Sequence, residues 1–147
     1  MRRRRAMYHG DDSIDLPILG YAEIDDDHQL IWRVWQQVLG VADDGVVGAL
    51  RRVVEVLAQH FMAEEALMKA TGFPGADCHR AEHDRVLAVL ERVIQATVAG
   101  NGPLGRYVLV REVPTWFARH VTGMDRLTVL WLRGRATATD HTLTAAA

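Results

Sequence analysis

Cysteine is almost absent from this sequence: Cys78 is the single one in 147 residues. One thiol excludes an internal disulfide and suits a reducing, cytoplasmic setting. Charge of one sign is lacking too. Seventeen Lys and Arg against 19 Asp and Glu leave a net charge of -2, which gives no general pull toward nucleic acid or a membrane surface. No apolar run is long enough to span a bilayer. No strand-like alternation of any length and no internal repeat is visible. The one basic cluster, Arg2 to Arg5, runs into "AMYHGDDS" rather than an apolar stretch. A secretory or twin-arginine signal is therefore not expected, and a solvated, frayed terminus is.

What is present is apolar periodicity. At 49% hydrophobic residues, the chain can bury one full-size core. Residues 1–20 read as an irregular arm, with "LPILGY" (Leu16 to Tyr21) lying across that core. The stretch "DDDHQLIWRVWQQVLGVA" keeps Leu30, Ile31, Val34, Trp35, Val38 and Val41 at helical spacing, with Asp25, Asp26 or Asp27 as its cap. "DDG" at Asp43 to Gly45 breaks it. A second helix is predicted from about Val46 to Ala70, closed by Gly72 and Pro74. A third is predicted from about Ala76 to Ala99, ended by "GNGP". A fourth begins near Leu104, with Pro114 imposing a kink and Gly123 an interruption before "DRLTVLWLRG". Residues 134–147 read as a disordered tail. The expected fold is all-α, an up-down-up-down four-helix bundle over residues 21–133.

Seven histidines punctuate this pattern. His9 and His141 fall in the expected loose ends. His28, His60, His79, His83 and His120 fall on the four helices, at least one on each. His60 and Glu64 form an i, i+4 pair, as do His79 and His83. Such pairs stand about one turn apart, roughly 6 Å along the axis, so both can meet one metal. His120 is followed five residues later by Asp125. These groups share faces with core leucines and valines, where an imidazole or carboxylate must be paired or metal-bound. A lone core histidine is ordinarily satisfied by a backbone carbonyl. Five histidines and two carboxylates would need a large buried network, costly if partly unmet. Coordination satisfies them together.

The set exceeds the needs of one tetrahedral zinc. It fits two bridged ions, with dinuclear iron or manganese favoured. The Glu-x-x-His motif of oxygen-activating di-iron bundles is absent. Imidazoles outnumber carboxylates, which favours reversible O2 binding over oxidation of a substrate.

The pieces "IDDDHQLI", "HFMAEEALMKATGFP", "CHRAEH" and "WFARHVTGMD" resemble, in this order, those of the hemerythrins, specifically the bacterial single-domain kind. They cover about residues 20 to 130. The resemblance implies a four-helix bundle around a non-haem di-iron site. It implies that His79, His83 and His120 ligate one iron and His28 and His60 the other. Glu64 and Asp125 would bridge them with an oxo or hydroxo group. The second iron would be one ligand short, and dioxygen would bind there. Helical spacing places Trp116, Phe117 and Val121 beside His120, and Ile31 and Phe61 by His28 and His60, as an apolar wall that excludes water. The expected function is oxygen carriage, storage or sensing without catalysis. The alternative is an enzyme or scavenger acting on peroxide or nitric oxide, or an iron store. A sensor would need a separate protein partner. No nucleic-acid or membrane partner is expected.

The sequence departs from the family pattern at Asp27, where Gln is usual. Two readings apply: a helix cap, or an acid near one iron that shifts its potential. Glu65 and Glu82 point about 100° from the neighbouring ligands and read as solvated. Cys78 reads as inert. Trp131 and its "LWL" segment read as an exposed surface for protein contacts.

Overall fold

The computed structural model describes the backbone of residues 16–144 and the side chains of residues 16–136. Four helical rods make the bundle, and no strand occurs among the described residues. The first rod is α1 (Ala22–Val38), the second α2 (Val46–Thr71) and the third α3 (Ala76–Val98). The fourth is composite: α4 (Gly102–Tyr107), a π-turn (Val108–Glu112), α5 (Val113–His120), a second π-turn (Val121–Asp125) and α6 (Arg126–Thr144). Connections of a few residues return each rod beside its predecessor, which forces the up-and-down order.

Local chemistry sets the breaks. Gly72 adopts φ 65°, a left-handed turn that suits glycine. There the Phe73 N–H donates to the Met68 carbonyl (3.0 Å) and the Gly72 N–H to that of Lys69 (3.3 Å), closing α2. The Asn101 side chain accepts from the Leu104 N–H at 3.2 Å and starts the fourth rod.

Two expectations about ends are corrected. α1 begins at Ala22, with Tyr21 at the cap position and no side-chain cap bond. Asp25 lies inside the helix instead. Its carboxylate accepts the N–H groups of Leu19 (2.8 Å), Gly20 (2.9 Å) and Tyr21 (3.2 Å), tying the non-helical segment 16–20 to the bundle. At the other end α6 does not stop near Gly134 but continues to Thr144. One glycine costs only about 1 kcal/mol in a helix, and extending an existing helix adds a hydrogen bond per residue. Residues 1–15, with the arginine cluster and His9, and residues 145–147 lie outside the described residues, as does the side chain of His141.

The Pro114 kink takes the form of the first π-turn. The Val113 N–H donates to the Val108 carbonyl, five residues back. The next donor in that register would serve the Leu109 carbonyl, but Pro114 has no N–H. The indole N–H of Trp35, on α1, donates to that carbonyl at 2.8 Å.

The core has two apolar parts. The larger includes Ile31, Leu50, Val53, Leu57, Phe61, Leu90, Leu109, Phe117 and Val121. The smaller is Ile24, Val129 and Leu132, with Leu67 and Trp131 against it. Trp131 is thus not a free surface group. Its indole N–H donates to the Thr71 hydroxyl at 3.1 Å, while Leu130 beside it is exposed. Between the two parts, in the register of all four rods, lies a layer of polar side chains.

Candidate metal centre

α1 contributes His28 to this layer; α2 contributes His60 and Glu64; α3 contributes His79 and His83; the fourth rod contributes His120 and Asp125. Every one is at most 4% exposed. Their donor atoms form two groups. Glu64, His79, His83, His120 and Asp125 converge in one, and His28, His60 and Asp125 in the other. Asp125 belongs to both, and its two oxygens divide between them. Oδ1 lies 2.9 Å from His120 Nε2 and 3.0 Å from His79 Nε2. Oδ2 lies 2.8 Å from His28 Nε2 and 3.9 Å from His60 Nε2. Glu64 Oε2 stands between the groups, 3.7 Å from His60 Nε2, 3.5 Å from His79 Nε2 and 3.6 Å from His83 Nε2.

These residues fit a metal better than they fit one another. Despite these short approaches, both oxygens of Glu64 and Asp125, both ring nitrogens of His28 and Nε2 of His60 are buried with no partner in hydrogen-bonding geometry, which is rare for buried polar atoms. His120 Nε2 lies 3.0 Å from His79 Nε2 and 3.1 Å from His83 Nε2. Donors at right angles, roughly 2.1 Å from one ion, stand about 3.0 Å apart, whereas tetrahedral donors stand about 3.4 Å apart. The nitrogen spacing matches the octahedral case.

Without a metal the layer holds protons. Burial and then the facing Asp125 carboxylate push Glu64 up to about 9. Burial disfavours charge on His60, yet the carboxylates of Asp125, Asp27 and Glu64 raise it to about 9. Burial and the rings of His79 and His120 push His83 down to about 3. Burial also acts against a charged Asp125, but the imidazoles of His120, His28, His60 and His79 hold it well below the usual carboxylate range. A cation entering this cavity would displace protons.

Three outer ring nitrogens are held from neighbouring helices. His79 Nδ1 lies 2.9 Å from the Thr128 hydroxyl, His83 Nδ1 3.0 Å from Glu65 Oε1 and His60 Nδ1 3.3 Å from Asp27 Oδ2. The solvated reading of Glu65 and the capping reading of Asp27 are thus both corrected. Glu65 diverges from Glu64 on its own helix and meets α3. Glu82 is also engaged: Arg85 and then the Trp116 indole N–H, at 2.8 Å, hold its carboxyl down to about 2. Thr128 carried no sequence signal, because its partner lies 49 residues away.

The apolar wall assembles around the imidazoles. Phe61 stacks on His83 (centroids 3.8 Å, interplanar angle 5°). Trp116 stacks on His120 at 4.7 Å. Phe117 meets His28 edge-on at 5.6 Å. Ile31 and Val121 are buried in the same core. Cys78 is exposed. No helix of the described residues is long and apolar enough to cross a membrane.

Fold and donor set together define a four-helix-bundle protein with a metal centre rich in histidine and carboxylate. The chain belongs to the hemerythrin family: the Hemerythrin HHE cation binding domain matches residues 19–132. It is similar to a bacteriohemerythrin of Ralstonia nicotianae, 39% identical over 117 residues, covering 80% of this chain and 85% of the relative. It is also similar to a bacteriohemerythrin of Methylococcus capsulatus, 26% identical over 113 residues, covering 74% and 84%.

Proposed function

We propose that the protein binds dioxygen reversibly at a non-haem di-iron centre and acts as a carrier, store or sensor rather than an enzyme. The observation that carries this is the division of the Asp125 oxygens between two imidazole groups, three on one side and two on the other. In this reading His79, His83 and His120 hold one iron and His28 and His60 the other. Glu64 and Asp125 would be shared between the two. Iron, when bound, supplies electrons that dioxygen takes up and returns. The two-histidine side has fewer protein donors, which leaves room for a small ligand.

The chain's own residues favour binding over turnover. Ile31, Phe61, Trp116, Phe117 and Val121 line the layer with carbon and exclude water. Proton-transfer groups such as Glu65 and Asp27 sit behind the imidazoles, on their outer nitrogens.

The test is anaerobic loading with ferrous iron followed by oxygen titration, read by visible absorbance. A band that appears with oxygen and disappears on deoxygenation, at about two irons per chain, supports the reading. Direct irreversible oxidation overturns it. Consumption of peroxide or nitric oxide far above the rate of free iron would favour the scavenger instead.

A further inference from the structure

Three consecutive aspartates do three different things. Asp25 is buried and ties down the segment before α1. Asp26 is exposed. Asp27 is half-buried, and its Oδ2 faces His60 Nδ1 on α2. A capping role is excluded, since α1 begins five residues earlier, at Ala22. We propose that Asp27 is a positioning residue for the two-histidine side of the centre: it holds His60 in the tautomer that presents Nε2 to the metal, and it makes the metal there harder to reduce. The proposal rests on the reading of the layer as a metal centre.

The asymmetry between the two sides gives Asp27 its weight. On the three-histidine side two rings are anchored, His83 by Glu65 and His79 by Thr128. On the other side His28 Nδ1 is buried with no partner among the described residues, so Asp27 supplies the only outer anchor seen there. An imidazole can donate from one nitrogen and coordinate through the other. With Nδ1–H directed at the carboxylate, the lone pair sits on Nε2, toward Glu64 and Asp125. A carboxylate acceptor also makes the ring a stronger electron donor, which favours the more oxidised metal. The Asp27 side chain is 38% exposed, so solvent screens part of this field.

The experiment uses the full-length chain, with cobalt(II) as the binding probe and the iron-loaded protein for redox titration. Asp27→Ala should weaken one of two cobalt sites about 10- to 100-fold and leave the other unchanged. Glu65→Ala should weaken the opposite one, identified by its different visible cobalt spectrum. Asp27→Asn keeps an acceptor oxygen without the charge. It should bind both cobalt ions nearly as wild type, while its iron is reduced at a higher potential. Two wild-type cobalt affinities in Asp27→Ala overturn the anchoring claim, and an unmoved potential in Asp27→Asn overturns the tuning claim. If the alanine variant does not fold, the potential of the asparagine variant decides. Cobalt binding does not require oxygen, so a wild-type chain that takes up metal but not dioxygen would sink the proposed function and leave this inference standing.

Discussion

Asp125 follows His120 by five residues, yet its Oδ1 lies 2.9 Å from the His120 Nε2. In an α-helix five residues rotate the chain by about 500°, which leaves the two side chains roughly 140° apart. The π-turn at Val121–Asp125 removes that divergence, because its hydrogen bonds close over five residues instead of four. Gly123 lies within it. Asp125 therefore arrives beneath His120 and between the two imidazole groups. Replacing Asp125 by Asn keeps the side-chain shape but removes the negative charge and puts an amide NH2 in place of one of the two oxygens. Metal affinity in that variant should fall by more than the roughly 10- to 100-fold that outer partners contribute, as measured by chelator competition. Wild-type affinity would count against the bridging role.

The first π-turn makes a prediction about stability. Trp35 satisfies the Leu109 carbonyl that Pro114 leaves without a helical donor. Trp35→Phe should cost about 1–3 kcal/mol in chemical denaturation, the penalty of an unpaired buried acceptor plus the trimmed ring. Pro114→Ala restores an N–H at the right place, so the same Trp35 change should cost less in that background. A double-mutant cycle reads the difference, and strict additivity would show that the indole bond is not the cause.

Thr128 should matter to the metal without touching it. Thr128→Val keeps the shape and removes the hydroxyl 2.9 Å from His79 Nδ1. Metal affinity should drop about 10- to 100-fold, and the metal-free protein should lose about 1–3 kcal/mol from the orphaned nitrogen. Isothermal titration and urea melts check the two separately.

Metal removal should loosen the whole bundle, since one layer links all four rods. An ion that binds only the folded chain, at a hundred times its Kd, stabilises it by about 2.7 kcal/mol. Ferrous loading under anaerobic conditions should raise the melting temperature accordingly, and a chelator should reverse it. An unchanged melt, with metal shown to be bound, would mean that the unfolded chain binds the metal about as tightly as the folded one.

Phe117 and Trp116 should protect whatever binds inside. Phe117 is 1% exposed and meets the His28 ring. Phe117→Ala opens a cavity beside the two-histidine side that water can enter. On the proposed function, oxygen-loaded protein should then convert irreversibly faster, because water reaches the site. Stopped-flow absorbance would show it, and an unchanged rate would remove Phe117 from the wall.

Much of this was legible in the chain. Apolar spacing placed the rods, and His60 with Glu64, and His79 with His83, announced themselves by their four-residue intervals. What was not legible lay between helices. Glu65 and Glu82 read as solvated, and Asp27 as a cap or an acid near one iron, when each helix was considered alone, because a single helix says nothing of the neighbour that its flank meets. The tail after Gly134 read as disordered, because its composition is weak and the helix preceding it carries the continuation.

The sequence alone determined four amphipathic rods and the chemistry of their polar stripe, since both follow from residue type at a 3.6-residue period. Only the tertiary structure decided which oxygen of Asp125 serves which imidazoles, which residues hold the outer ring nitrogens, and that two π-turns re-aim the fourth rod. Those depend on distances of a few ångströms between side chains far apart in the chain, and local periodicity carries no information about them.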